Sequence, residues 1–260
     1  MPSSFLPTEA VTTVSPETDA SAGSPGVEPP SAVVATGLHL PGRRGLVYGP
    51  VDLTLPRGVL LVVQGPQGAG RSSLLLTLAG RMVPDKSSRL RVLGHELPGS
   101  RSKVQRLAAV AGFAGIDDLD ESVRVSDVVR ERLAWLSPWY RRVPAVTQRV
   151  FTTLAEPIWR DRPIPRIETL VWDLDEVDVM LLRIALAMAQ HPDLLVVDDV
   201  DQVHDSVRRQ VVWSSLEAIA AAGTTVIASV SSLGEAAAMS WTIAPHQLHL
   251  STGPHALTAA

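Results

Sequence analysis

The chain has 260 residues, 45% of them hydrophobic, enough for one large domain or two small ones with a sizeable core. Its net charge of −4 gives no global pull toward nucleic acid or an anionic membrane, and no aromatic-and-basic patch points to nucleic-acid binding. The absence of cysteine excludes disulfides, thiolate catalysis and cysteine metal sites.

The opening residues, MPSSFLPTEAVTTVSPETDASAGSP, lack the basic and apolar segments of a secretory signal, and no run of about 18 apolar residues follows. A cytoplasmic setting is expected, free or peripheral at the inner face of the plasma membrane. Residues 1–33 are rich in Pro, Ser, Thr, Ala and Gly and read as a disordered tail. An ordered domain is expected over 34–250, with 251–260 a flexible end. In GPVDLTLPRG, Val51, Leu53 and Leu55 alternate as in a strand, and Pro56-Arg57-Gly58 marks a turn. VLLVVQ (59–64) is a continuous apolar run, as in a strand buried on both faces. SSLLLTLAGRM (72–82) reads as a helix with Leu75, Leu78 and Ala79 on one face.

LRVLGHEL (90–97) suggests a short strand and turn, and residues 101–110 another strand. A helix is expected to start at Ser126, with Asp127 in its first turn. The stretch 120–190 is mostly helical in pattern, with an amphipathic helix through Leu181, Leu182, Ala185 and Met188. DLLVVDD (193–199) is a buried strand ending in acids. A helix closed by Gly223, the strand TTVIASV, the short helix SSLGEAAAM and an edge strand QLHL complete the pattern. Alternating strands and helices imply an α/β domain with a mainly parallel sheet and a helical insert.

GPQGAGRSS (65–73) lies between a buried strand and a helix and departs at one position from the phosphate-loop pattern G-x-x-x-x-G-K-[ST]. Gly65, Pro66, Gln67, Gly68, Ala69, Gly70, Arg71, Ser72 and Ser73 form a candidate nucleotide-binding loop. Its glycines let successive amides converge on an anion, and the helix N-terminus adds partial positive charge. Arg71 stands in the lysine's place. Ser72 is a candidate Mg²⁺ ligand. The plainer alternative is a glycine turn tightening a strand–helix junction. Asp198 and Asp199 end the later strand, where a parallel sheet collects ligands. Asp198 is a candidate Mg²⁺ ligand through water and Asp199 the catalytic residue that orients an attacking water; the plainer alternative is a solvated turn.

Over about residues 35–240, VDLTLPRGVLLVVQGPQGAGRSSLLLTLAG and IALAMAQHPDLLVVDDVDQVHDSVRRQVVWSSLEAIAAAGTTVIASVSSLGEA resemble the ATP-binding subunit of ABC transporters. The resemblance implies an ABC-type P-loop NTPase fold with an N-terminal antiparallel β part and an inserted helical subdomain. It implies ATP and Mg²⁺ as ligands, and a membrane permease or another ABC-type ATPase as partner, in a homo- or heterodimer. Against the family pattern, Arg71 replaces the Walker A lysine and Asp199 the catalytic glutamate. Ser231 falls on the switch histidine, no glutamine occupies the Q-loop near Ala114 and Gly115, and DLDEVD (173–178) replaces the signature. The D-loop aspartate matches Asp205. The adenine-stacking aromatic falls near Leu40-Pro41, and Tyr48 fits a core position better. Asp175, Glu176 and Asp178 are expected to set negative charge opposite ATP. Weak nucleotide binding, little or no hydrolysis and a structural or regulatory role follow; the alternative is a working ATPase whose partner supplies the missing motifs. Trp135, Trp139, Trp159 and Trp172 are expected to pack the insert's core rather than line a docking groove.

Overall fold

The computed structural model describes residues 30–43 and 45–251. The expected tail up to residue 29 and the end beyond 251 lie outside the described residues. Strands β1 (Ser31–Gly42) and β2 (Gly45–Pro56) form a long antiparallel pair, with Val33 opposite Leu55 and Leu38 opposite Val51. With β4 (Arg89–Val92) and β5 (His95–Leu97) they make a four-stranded sheet of order β2-β1-β4-β5. β1 begins ahead of the expected residue 34 because Ala32 and Val33 are fully buried, Val33 lying opposite Val92 as well.

The second sheet has five parallel strands in the order β6-β7-β8-β3-β9: β3 (Leu60–Gln64), β6 (Ala108–Ala111), β7 (Leu194–Val197), β8 (Thr225–Val230) and β9 (His246–His249). β3, β7 and β8 are buried at every position, as their continuous apolar runs require when both faces are covered. Two cores result, split by the period-2 alternation of the strands. Leu61 and Val63 face Leu74, Leu75 and Leu78 of α1 (Arg71–Leu78) and the antiparallel sheet. Leu60 and Val62 face the side formed by α4 (Gln148–Trp159), α5 (Glu176–Met188) and α6 (Ser206–Ala221).

Three local expectations change. Residues 101–107 form the helix α2 (Arg101–Leu107), and the strand begins only at Ala108. Val104 is its one buried side chain, so its apolar pattern is too sparse to read as a helix, and Arg101 Nε and Gln105 Nε2 tie it to the Gly80 carbonyl. Helix α3 (Val125–Leu136) starts with Arg124, not Ser126, in the capping position, although Asp127 does sit in its first turn. The amides of Val125 and Ser126 donate to the carbonyls of Thr169 and Ile167, both at 3.0 Å, so no side-chain cap is needed. Of the four tryptophans assigned to the core, only Trp159 is buried; Trp135, Trp139 and Trp172 are exposed. Among the described residues, no helix is long and apolar enough to cross a membrane.

Candidate nucleotide site

The loop 65–70 leaves the C-terminal end of β3, between β8 and β9 in the parallel sheet, and opens α1. Gly70 has φ +81°, and a Cβ there would lie 2.2 Å from the Val47 carbonyl oxygen on β2. Only glycine fits both the left-handed backbone and this approach. Below the loop, Tyr48 is buried as expected; its hydroxyl donates to Thr77 Oγ1 at 2.8 Å, and Thr77 donates to the Ser73 carbonyl at 2.8 Å. Burial pushes the Tyr48 phenol up to about 12, against the opposing effect of the Thr77 bond. The first helical bond runs from Leu74 N to Gly70 O at 2.8 Å, and no side chain caps α1. The first-turn amides therefore stay available at the positive end of the helix dipole.

β7 delivers the acids. Asp198 is nearly buried, and its Oδ1 accepts a 2.5 Å hydrogen bond from Ser229 Oγ on β8. Ser229 Oγ accepts in turn from the Asp199 amide at 2.9 Å. Gly112, after β6, touches the same corner: a Cβ there would lie 2.3 Å from Asp198 O. Asp199 has φ +50°, a strained value for a residue with a side chain. Burial pushes its carboxyl above the ordinary value; Arg71 opposes this and the charges of Asp201 and Asp198 add to it.

Arg71 folds back over the acids. Its Nη2 lies 3.9 Å from Asp199 Oδ1 and its Nη1 3.8 Å from Asp201 Oδ2, and Nη1 is buried with no hydrogen-bond partner. These contacts are ion pairs too long to be hydrogen bonds, so the guanidinium keeps an unspent donor. Asp201, absent from the sequence reading, also accepts the amide of Ser231. It follows the acidic pair by two residues, and its role depends on a chain reversal that spacing does not reveal.

The resulting cleft has a volume of about 420 Å³. Gln67, Gly68, Gly70, Arg71, Ser72, Ser73, Asp198 and Asp199 line it. Gly65, Pro66 and Ala69 stand behind: Gly65 N donates to Val230 O, and Ala69 N to Pro66 O. A phosphate group fits this donor set, because the free first-turn amides and the orphaned Arg71 Nη1 all lack acceptors. Ser72 and Asp198 share the cleft, the pair a hydrated Mg²⁺ would require. Neither Leu40 nor Pro41 lines the cleft; Val47 represents β2 there.

The loop after β6 is held without the expected glutamine, and Ala114 lies on the cleft wall. Asp117 accepts from the amides of Gly112 and Phe113 at 2.9 and 2.7 Å. Buried Arg183, from α5, binds Asp117, the Phe113 carbonyl and Gln202 Oε1, while Gln202 Nε2 donates to Gly112 O at 2.7 Å. Besides Gln67, the glutamine that reaches the cleft wall is Gln202, from the segment after β7.

The acidic stretch 173–178 differs from its expected effect. Asp175 caps α5 by accepting from Asp178 N at 2.8 Å. Arg162 closes on both carboxylates, Nη2 lying 2.5 Å from Asp175 Oδ2 and Nε 2.8 Å from Asp178 Oδ1, where Trp159 Nε1 also donates. Hydrogen bonds to Asp178 raise the Arg162 pKa, so the guanidinium stays charged. Glu176 faces His204 and Arg208. These carboxylates are therefore largely neutralised within the chain, and the expected repulsion falls accordingly. Asp205 caps α6, accepting from Arg208 N at 2.9 Å.

The family model described as "ABC transporter" matches residues 48–202, from beneath the loop to the acids. The chain belongs to the ABC transporter family. Among named relatives of this family, the Nod factor export ATP-binding protein I of Rhizobium sp. (strain N33) is 28% identical over 215 residues, covering 82% of this chain and 67% of that protein. The zinc transport system ATP-binding protein TroB of Treponema pallidum is 28% identical, covering 75% and 71%. The daunorubicin/doxorubicin resistance ATP-binding protein DrrA of Streptomyces peucetius is 27% identical, covering 80% and 60%. The chain thus spans between 60% and 71% of these relatives' own lengths. Among solved structures, the dimeric bacterial ABC transporter cassette MJ0796 matches with a TM-score of 0.63 at 15% identity, over 84% of this chain and 94% of that one. The same cassette has been solved with ADP and Pi. At this identity the likeness shows the fold, an ABC cassette with its antiparallel and parallel sheets.

Proposed function

We propose that this chain is a degenerate ATP-binding cassette that binds nucleotide weakly, hydrolyses little or none, and serves a membrane transport complex as a structural or regulatory subunit. The observation that carries the reading is the turn of Arg71 toward Asp199 and Asp201. At the lysine's place the guanidinium is drawn toward Asp199, the residue that would orient the attacking water, and toward Asp201, without hydrogen-bonding either. Arginine's planar fork also does not replace an ammonium in a tight cradle. ATP would lie along the loop amides, with Mg²⁺ near Ser72 and Asp198. The partner is a permease or a second cassette, at the inner face of a membrane. A groove of about 320 Å³ between the loop after β6 and α3, bordered by Asp117, Arg132 and Trp135, supports docking of a permease segment.

The test is thermal unfolding with and without Mg-ATP, beside Arg71→Lys. Ligand at a hundred times its dissociation constant adds about 2.7 kcal/mol. A small shift in the wild type and a larger one in Arg71→Lys are expected, with no turnover sensitive to Asp199→Asn. Mg-dependent hydrolysis abolished by Asp199→Asn would overturn the reading in favour of a working ATPase. The intact loop backbone and the fixed Asp198 carboxylate favour that second reading.

A further inference from the structure

Residues 132–155 contain Arg132, Arg141, Arg142 and Arg149 and no acidic residue, in a chain whose net charge is −4. Arg132 is committed to the Leu186 carbonyl at 2.7 Å. Arg141, Arg142 and Arg149 are exposed. Among the described residues none of these three side chains has an ion-pair partner, although Arg142 borders a shallow cleft shared with Asp127 and Glu131. Beside them, at the end of α3, stand Trp135, Trp139 and Tyr140, 78%, 96% and 74% exposed. Trp139 and Tyr140 meet edge to face, ring centroids 5.9 Å apart, and so present one apolar wedge.

We infer that this aromatic and arginine patch rests on the anionic headgroup surface of a lipid bilayer. Indole and phenol rings favour the headgroup level, where an apolar body and a polar edge are both satisfied. Arginines beside them attract anionic lipid. Overall charge predicts no such attraction; within the segment 132–155 the charge is wholly positive, with Asp127 and Glu131 near Arg142 only. The groove bordered by Trp135, which suits a protein segment, is not lined by Trp139 or Tyr140. Trp139 and Tyr140 project from a loop instead, with Arg141 and Arg142 next to them. The inference goes beyond the cassette reading and needs no nucleotide.

The full chain is floated with vesicles of phosphatidylcholine alone, or with about one third phosphatidylglycerol, at low and high salt. Binding to the anionic vesicles only, weakened by salt, is expected. Arg141→Gln with Arg142→Gln should weaken it by roughly ten- to thirtyfold. Trp139→Ser with Tyr140→Ser should also reduce it, and Trp172→Ser, at an exposed tryptophan outside the patch, should not. All variants should keep the wild-type melting temperature, since the altered side chains are exposed. No flotation at low salt, the outcome expected if the patch docks a protein segment, overturns the inference. So does binding to neutral vesicles alone, or binding that both double variants retain. The Mg-ATP melting shift read on the same preparation separates failure here from failure of the cassette reading.

Discussion

Arg183 and Asp117 meet through two hydrogen bonds, Nε to Oδ2 at 3.0 Å and Nη2 to Oδ1 at 2.8 Å. The pair fastens the loop after β6 to α5, because the same carboxylate accepts the amides of Gly112 and Phe113. Breaking a buried pair from one side leaves the other charge unanswered. Arg183→Met should cost about 3 kcal/mol, near the lower end for such pairs because Asp117 keeps some solvent contact. Asp117→Asn added to it should recover part of that loss. Urea unfolding of the two single variants and the double variant measures both values.

Asp175 carries the cap of α5. Asp175→Ala should cost about 1 kcal/mol and Asp175→Ser much less, since a serine hydroxyl also accepts from the third helical amide. Burial opposes the Asp175 charge, but the Asp178 amide and Arg162 outweigh it and hold the carboxyl below the ordinary value. A lowered folded pKa adds stability above the unfolded value, lost as pH falls through the folded one. The advantage of wild type over Asp175→Ser should therefore shrink on acidification. Denaturation midpoints at neutral pH and below the usual carboxylate range test this.

The Tyr48 phenol, pushed up to about 12, makes an alkaline prediction. The unfolded chain releases this proton near pH 10, before the folded chain does, so stability should fall as pH rises from there toward 12. The full effect is on the order of 2 to 3 kcal/mol. Tyr48→Phe should cost about 1 kcal/mol at neutral pH through the lost hydrogen bond, and should flatten the alkaline decline. The chain has only two tyrosines, so phenolate absorbance in a Tyr140→Phe background reports Tyr48 alone.

Two glycines of the loop separate backbone strain from crowding. Both have positive φ, +83° at Gly68 and +81° at Gly70, but a Cβ at Gly68 meets nothing within 4 Å. Gly68→Ala should cost about 1 kcal/mol of left-handed strain. Gly70→Ala adds the clash with the Val47 carbonyl and should cost at least about 3 kcal/mol. Chemical denaturation of the two variants checks the order.

The sheet core and the loop were legible because their signals are local. VLLVVQ and LLVV are continuous apolar runs, and the glycines fall where the chain must turn. Asp198 follows the last residue of β7 and lines the cleft, a position that the apolar run before it marks. What could not be read depends on partners far apart in sequence. Arg162 reaches Asp175 and Asp178 across a loop and a helix start, which turns a repulsive acidic run into a neutralised cap. Arg183 reaches Asp117 across 66 residues. Ser126 looked like a helix cap because local chemistry favours serine there, but Thr169 and Ile167 supply the acceptors instead. The tryptophans misled for a different reason: composition marks an aromatic side chain as costly to expose without saying which one is exposed.

Strand β2 and the last described residues meet at the loop. Gly65 leaves room for the Leu250 carbonyl, which would lie 2.7 Å from a Cβ there, while Gly70 leaves room for Val47. Leu250 N also donates to Gln64 O at 2.7 Å, and both neighbours of β3 in the sheet, β8 and β9, come after residue 224. During synthesis Val47 precedes the loop, Asp198 follows Gly70 by 128 residues (198 − 70), and Leu250 follows it by 180 (250 − 70). At ordinary ribosome speeds that wait is roughly 10 to 40 s. The antiparallel sheet, complete by Leu97, can form early; the cleft cannot. A nucleotide therefore cannot template this fold as it emerges. It meets a cradle only once the chain is nearly whole, so C-terminal truncation before Leu250 should remove the site while leaving the first sheet in place.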